Sequence, residues 1–208
     1  DIIYVSKNSG NDSQPGGCGL AITIACRSIS KGLSRAEALV KPRVYVAGGI
    51  YDSFEMKSGI HLVGGYTEQF DGAGLASEIV GGTLSGDPTG IVVSNVNNAP
   101  NVNDALISQF KVRTASVASG TTQGVLIRQS GGGGKVTLQN VDVGYNPAGT
   151  PDYRGKGNQP AAVLVRNSSA TLKDVTVTSP TPVGAGSSTY GLRVIEGSNV
   201  VVDGGRFT

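Results

Sequence analysis

Fifteen carboxylates, seventeen Lys or Arg and one histidine are spread thinly over 208 residues, and no two acidic residues are adjacent. Any chemistry must therefore be assembled from positions distant in sequence. The acids with the most regular surroundings lie in recurring strand-like segments: ISQFKV (107–112), LQNVDV (138–143), LKDVTV (172–177) and VVDGGRF (201–207). Aligned, these put Gln109, Asn140, Asp174 and Asp203 at one turn position. Such a column reads as a polar ladder satisfying turn backbone groups. Alternatively, Asp174 and Asp203 supply two hard oxygens to calcium, fewer than a calcium shell needs. Lys111 and Asp142 fall on an outward position of neighbouring segments, as a surface ion pair or an acid–base pair. If the chain is an enzyme, Asp142, Asp174 and Asp203 are its catalytic candidates.

A second series, GIVVSN (90–95), GVLIRQ (124–129), AVLVRN (162–167) and GLRVIE (191–196), carries the binding candidates. With Val125 and Ile127 pointing inward, alternation sends Leu126 and Arg128 outward, and likewise Val92, Leu164 and Arg166. The expected result is an apolar stripe, Val92–Leu126–Leu164, beside stacked Arg128 and Arg166, either exposed to a partner or covered by loops. Two stacked arginines need an anion or carboxylate between them, and Glu196 is placed to serve. Tyr145, Tyr153, Arg154 and Lys156 lie in a turn-rich insert, suited to stacking on sugars or to packing down on the protein.

Other motifs carry less. Cys18 and Cys26 are too few for a zinc site, and their spacing is not the CxxC of a redox motif. They are expected to form a disulfide closing a short loop, which implies an oxidising compartment. Asn8, Asn11 and Asp12 offer oxygens for calcium or simply make a turn. Calcium is the only cofactor with any ligand set, and no cofactor is expected. His61 reads as an outward strand residue. The run Gly131–Gly134 is not a phosphate loop, because no Lys-Ser/Thr pair opens a helix after it.

The elements that must position these residues are β-strands. Glycine is abundant at 32 residues, charged residues make up 15% and tryptophan is absent, a composition of short strands and tight turns. A net charge of +2 with no basic run excludes a nucleic-acid or membrane-surface face, and no apolar stretch is long enough to span a membrane. Residues 1–43 form a cap. Ile2–Val5 make a strand, and a polar loop holds the cysteines. A helix follows, with Ile29, Leu33, Ala36 and Val40 on one face, Ser28 or Ser30 at its start and Pro42 at its end. Residues 44–208 read as coils. The companion segments begin their buried triplets at Phe110, Val141, Val175 and Gly204, roughly thirty residues apart, the signature of a solenoid. A β-sandwich would show short hairpin turns, which are nearly missing. The expected fold is therefore all-β, a parallel β-helix capped by a strand and an amphipathic helix. The cap covers the open first coil. Asp1 opens onto a strand, as a trimmed start would. The absence of a closing cap after VVDGGRFT predicts that the C-terminal coil continues in a longer protein or makes an end-to-end or oligomeric contact.

The opening YVSKNSGNDSQPG, then ACRSISKGLSRA, RVYVAGGIY and SGIHLVGGY, resembles bacterial secreted and cell-surface proteins of the pectin-lyase-like superfamily. The close part of the match covers roughly residues 3–66, with only the coil pattern agreeing beyond. The resemblance implies a right-handed parallel β-helix and an extracellular, cell-surface or outer-membrane-associated setting. It does not fix an activity, because this fold hosts lyases, hydrolases, adhesins and stalks. The hydrolases of the fold show paired aspartates and a Gly-His-Gly element, whereas His61 here sits in Ile-His-Leu. The expected function is an adhesin-like domain that recognises a glycan, a surface or a protein. The alternative is a polysaccharide lyase or glycoside hydrolase acting on an acidic polysaccharide.

Overall fold

The computed structural model describes residues 1–84, 87–94, 104–113, 121–128, 135–144, 154–155, 159–182 and 188–208. It is a curled, parallel-stranded, solenoid-like stack behind an N-terminal cap. Among the described residues the paired strands run parallel, except for the hairpin of Gly82–Leu84 on Asp87–Ser94.

The cap solves two problems of an open stack. The first strand, Ile2–Val5, pairs on one side with Arg43–Ala47. Its other edge would offer bare amides and carbonyls to any passing strand. The loop closed by the Cys18–Cys26 disulfide covers that edge: Tyr4 N–H donates to Gly19 O at 2.9 Å, and Cys26 N–H donates to Tyr4 O at 2.9 Å. The second problem is the apolar end of the first coil. The helix Ile29–Ala38 buries Ile29, Gly32, Leu33 and Ala36 there. Gly32 is required by the close approach, since a Cβ would run into the Val5 side chain. Ser28, not Ser30, caps the helix, accepting from Lys31 N–H at 3.3 Å.

Val40 is a correction to the expected helix face. The helix stops at Ala38, and Val40 is 88% exposed with φ 52°. Its N–H donates to Glu37 O, and Lys41 N–H donates to Ala36 O at 2.8 Å. This is a Schellman close, whose left-handed position swings the Val40 side chain off the helix face. Leu39 packs against the core instead.

The coils stack three strands each. One row runs through Arg43–Ala47, His61–Tyr66, Ala105–Ser108, Val136–Gln139 and Ser169–Val177. A second runs through Gly49–Asp52, Ser77–Val80, Phe110–Val112, Asp142–Val143 and again Ser169–Val177. A third, in a separate sheet, runs through Phe54–Met56, Asp87–Ser94, Gln123–Arg128, Ala161–Arg166 and Tyr190–Ile195. Inward columns such as Leu62–Ile107–Leu138–Leu172 and Ile79–Val112–Val143–Val177 fill the interior.

The bend between the first two rows is made by residues with left-handed backbone: Gln109 (φ 62°), Asn140 (φ 51°), Asp174 (φ 51°) and Gly204 (φ 76°). The shared turn position is therefore present as a backbone feature, with one correction. Its last member is Gly204, because Val175 pairs with Gly205 and Asp203 lies opposite Lys173. Asp174 Oδ1 sits where a Cβ on residue 204 would go. The last strand, Asn199–Phe207, pairs with Ser169–Val177 and leaves Val201, Val202 and Phe207 exposed.

Candidate functional site

On the third row, the alternation reads as expected but the stripe does not face water. Val92, Leu126 and Leu164 are in register and lie outside the main core. They nevertheless form a second buried cluster with Ala161, against which Leu84, Tyr190 and Ile195 pack. Leu126 and Leu164 are 3% and 8% exposed, so they stabilise the outer layer and are not surface contacts. The reason is energetic: apolar surface left in water forgoes about 25 cal/mol per Å².

One step along, Arg128 is half-buried and Arg166 exposed. Arg166 Nε donates to Glu196 Oε2 at 2.6 Å, the carboxylate that the sequence placed nearby. With Asn167 these side chains line a polar cleft of about 200 Å³. Asn167 (φ 46°) and Glu196 (φ 57°) mark a second left-handed turn column. Tyr145 and Tyr153 lie outside the described residues. Arg154 is described only as part of the two-residue strand Arg154–Gly155, paired with Thr181–Pro182.

The three candidate catalytic acids occupy three different positions on neighbouring coils. Asp142 stands in an outward column, Ile50–Glu78–Lys111–Asp142–Thr176–Arg206. Asp174 sits at the turn, and Asp203 projects from the first row beside Lys173. Within the outward column Glu78 pairs with Arg113. Burial pushes the Asp142 carboxyl up from its ordinary range, opposed by Lys111.

The oxygen-rich loop of the cap is committed to structure. Asp12 accepts from Arg27 N–H (2.7 Å), Ser28 N–H (3.1 Å) and the Ser28 hydroxyl (2.7 Å). Asn11 accepts from Ser13 N–H, and the Asn8 amide donates to Glu68. Cys18 and Cys26 approach Asp12, but as a disulfide they are not thiolate ligands. This loop folds as a turn and helix cap rather than as a calcium shell.

The residues missed in the sequence are aromatic. Tyr4 and Tyr45 are register partners on the outer face of the first row, each flanked by buried neighbours. Tyr45 stacks on Tyr66 with centroids 4.6 Å apart. Phe70 closes the group, edge-on to Tyr4 at 4.9 Å and 6.1 Å from Tyr66. All four rings are half-buried. Phe70 is held by its loop: the Thr67 hydroxyl donates to Asp71 at 2.6 Å, and Thr67 N–H donates to Gly72 O. Next to it, Glu68 gathers Ser6, Asn8 and Ser9.

Arg43 and His61 are register partners on the same face, Arg43 exposed and His61 half-buried. No carboxylate among the described residues pairs with Arg43. Burial and the neighbouring Tyr45 hydroxyl push the Tyr66 phenol up, while the Arg43 charge pulls it down. The sequence signal was the outward parity of Tyr4 and Tyr45. Nothing in it brought Phe70 onto them. Compared with protein-family models, curated proteins and solved structures, the chain matches none of them.

Proposed function

We propose that this chain is an extracellular module of a bacterial surface or secreted protein, a right-handed parallel β-helix of the pectin-lyase-like kind, that recognises a glycan and does not cleave it. The observation that carries the reading is the outer face of the first row. Its strands pair in parallel from Ile2–Val5 to Ser169–Val177 and present partly exposed rings on the first strands (Tyr4, Tyr45, Tyr66) and polar side chains (Thr137, Gln139, Thr171) on the later ones. An extended polymer suits such a surface, because it can lie along coils that stack about 4.8 Å apart. The buried disulfide fits an oxidising, extracytoplasmic setting.

A glycan array probed with the wild-type domain, paired with assays for new reducing ends and for unsaturated products, tests the reading. Binding without product formation is the expected result. Product formation that disappears in Asp142→Asn would instead establish the enzyme.

A further inference from the structure

We infer that the ring cluster of Tyr4, Tyr45, Tyr66 and Phe70, together with Arg43, is a binding site for an anionic pyranose, a sugar carrying a carboxylate or sulfate. This rests on the glycan reading above and says where on the solenoid the ligand sits and what charge it carries.

The patch combines the two surfaces that a sugar needs. A pyranose has an apolar face of C–H groups and a rim of hydroxyls. The half-buried rings offer apolar surface of fixed shape, since each is locked against its neighbours at 4.6 to 6.4 Å. Three of them end in phenolic hydroxyls able to donate and accept. Little rotamer freedom is left to lose on binding, which favours affinity.

Charge selects the anionic ligand. Nearby cations on the cap are matched: Lys41 with Asp1 at 3.0 Å, Lys7 with Asp52 at 3.5 Å. Of the nearby acids, Glu68 is turned to Ser6, Asn8 and Ser9, and Asp71 accepts from the Thr67 hydroxyl. Arg43 is exposed, shares the outer face of its strand with Tyr45, is near enough for its charge to act on Tyr66, and among the described residues pairs with no carboxylate. A ligand carboxylate or sulfate would complete it with two parallel hydrogen bonds.

Size argues for a sugar over a protein partner. Four aromatic side chains expose at most roughly 150–250 Å² each when fully free. Mostly covered by one another and by the fold, they supply roughly 200–300 Å² at most, about a third of the ~800 Å² that each partner contributes to a stable protein interface.

The test is isothermal titration of the intact chain with uronic-acid oligomers and with neutral oligomers of the same linkage and length, in low and high salt. Wild type should bind the acidic series more tightly, and salt should weaken that preference. Arg43→Gln should lose about ten- to a hundredfold for the acidic oligomer, the loss of one charge-assisted contact, and leave neutral binding unchanged. Tyr45→Ala should weaken both series, and more than Tyr45→Phe, which keeps the ring and loses only the hydroxyl. Circular dichroism melting verifies that the variants fold, and Arg43→Gln, at an exposed position, carries the test if Tyr45→Ala does not fold. Three results would overturn the site. One is acidic binding unaltered in Arg43→Gln. Another is acidic binding lost instead in Arg128→Ala with Arg166→Ala, which moves the ligand to the polar cleft and leaves the glycan reading standing. The third is binding to anionic lipid vesicles with no binding to any oligomer, which removes both readings.

Discussion

Tyr45 lies on Tyr66, centroids 4.6 Å apart and planes 19° from parallel, on the outer face of two neighbouring coils. The pair is held by coil stacking rather than by local sequence. An offset aromatic pair contributes about 0.5–1.5 kcal/mol beyond its burial. A double-mutant cycle of Tyr45→Ala and Tyr66→Ala, read by urea denaturation, is expected to give a coupling in that range. A coupling near zero would mean the rings merely lie close together.

Tyr51 ties the cap loop to the first coil from inside the core. Its hydroxyl donates to Ala47 O at 2.8 Å and accepts from Lys7 N–H at 3.1 Å, and the side chain is 2% exposed. Tyr51→Phe strands both backbone groups and should cost about 1–3 kcal/mol at neutral pH. Burial also raises the phenol's folded pKa well above its ordinary value. The unfolded chain ionises near pH 10 and the folded one resists, so wild type should lose stability as pH rises above about 10. Comparing urea midpoints at about pH 8 and about pH 11 should show the gap to Tyr51→Phe narrowing.

Val40 occupies a left-handed C′ position normally given to glycine, at φ 52°. Left-handed backbone costs an L-residue roughly 1–2 kcal/mol. Val40→Gly is therefore expected to raise the melting temperature, since the exposed side chain has little packing to lose. Asn140 poses the reverse case at φ 51°. Asn140→Val should destabilise by about 1–2 kcal/mol, and Asn140→Gly should not.

Asp142 has a folded pKa above its unfolded value, chiefly through burial. Ionising it costs more in the folded chain, so its effect is absent below the unfolded carboxylate range near pH 4 and grows as pH rises through the folded pKa. Asp142→Asn should match wild type near pH 3 and become the more stable of the two towards neutrality. A constant difference across that range would show that the carboxyl is not desolvated.

Reducing the Cys18–Cys26 bond should cost stability by freeing the loop that guards the first strand. For a sequence separation of 8, the chain-entropy estimate is about 2.5 kcal/mol. Thermal melts with and without reductant measure it, and Cys18→Ala with Cys26→Ala should melt with the reduced protein.

Local patterning carried much of this fold. Alternation of Ile, Val and Leu in GVLIRQ and AVLVRN determined which side chains turn inward, because a strand has a period of two. Their repetition at similar steps determined the coil register, and Leu126 does pair with Leu164 and Arg128 with Arg166. The helix, a serine cap at Ser28 or Ser30 and the disulfide were legible for the same reason, since each is decided within a few residues of chain, although only the structure selects Ser28.

Tertiary structure decided what covers the outward side chains. Leu126 and Leu164 point away from the main core as alternation requires, yet a second cluster buries them, and no local rule reports what packs on the far side of a strand. In the last coil the left-handed turn position falls to Gly204 rather than Asp203, because the pairing of Val175 with Gly205 sets the register between coils. Tyr4, Tyr45, Tyr66 and Phe70 meet only because three strands and a loop stack them, whereas Arg43 shares the face of Tyr45 by alternation along one strand. Strand alternation can be read along the chain, but this site runs across it.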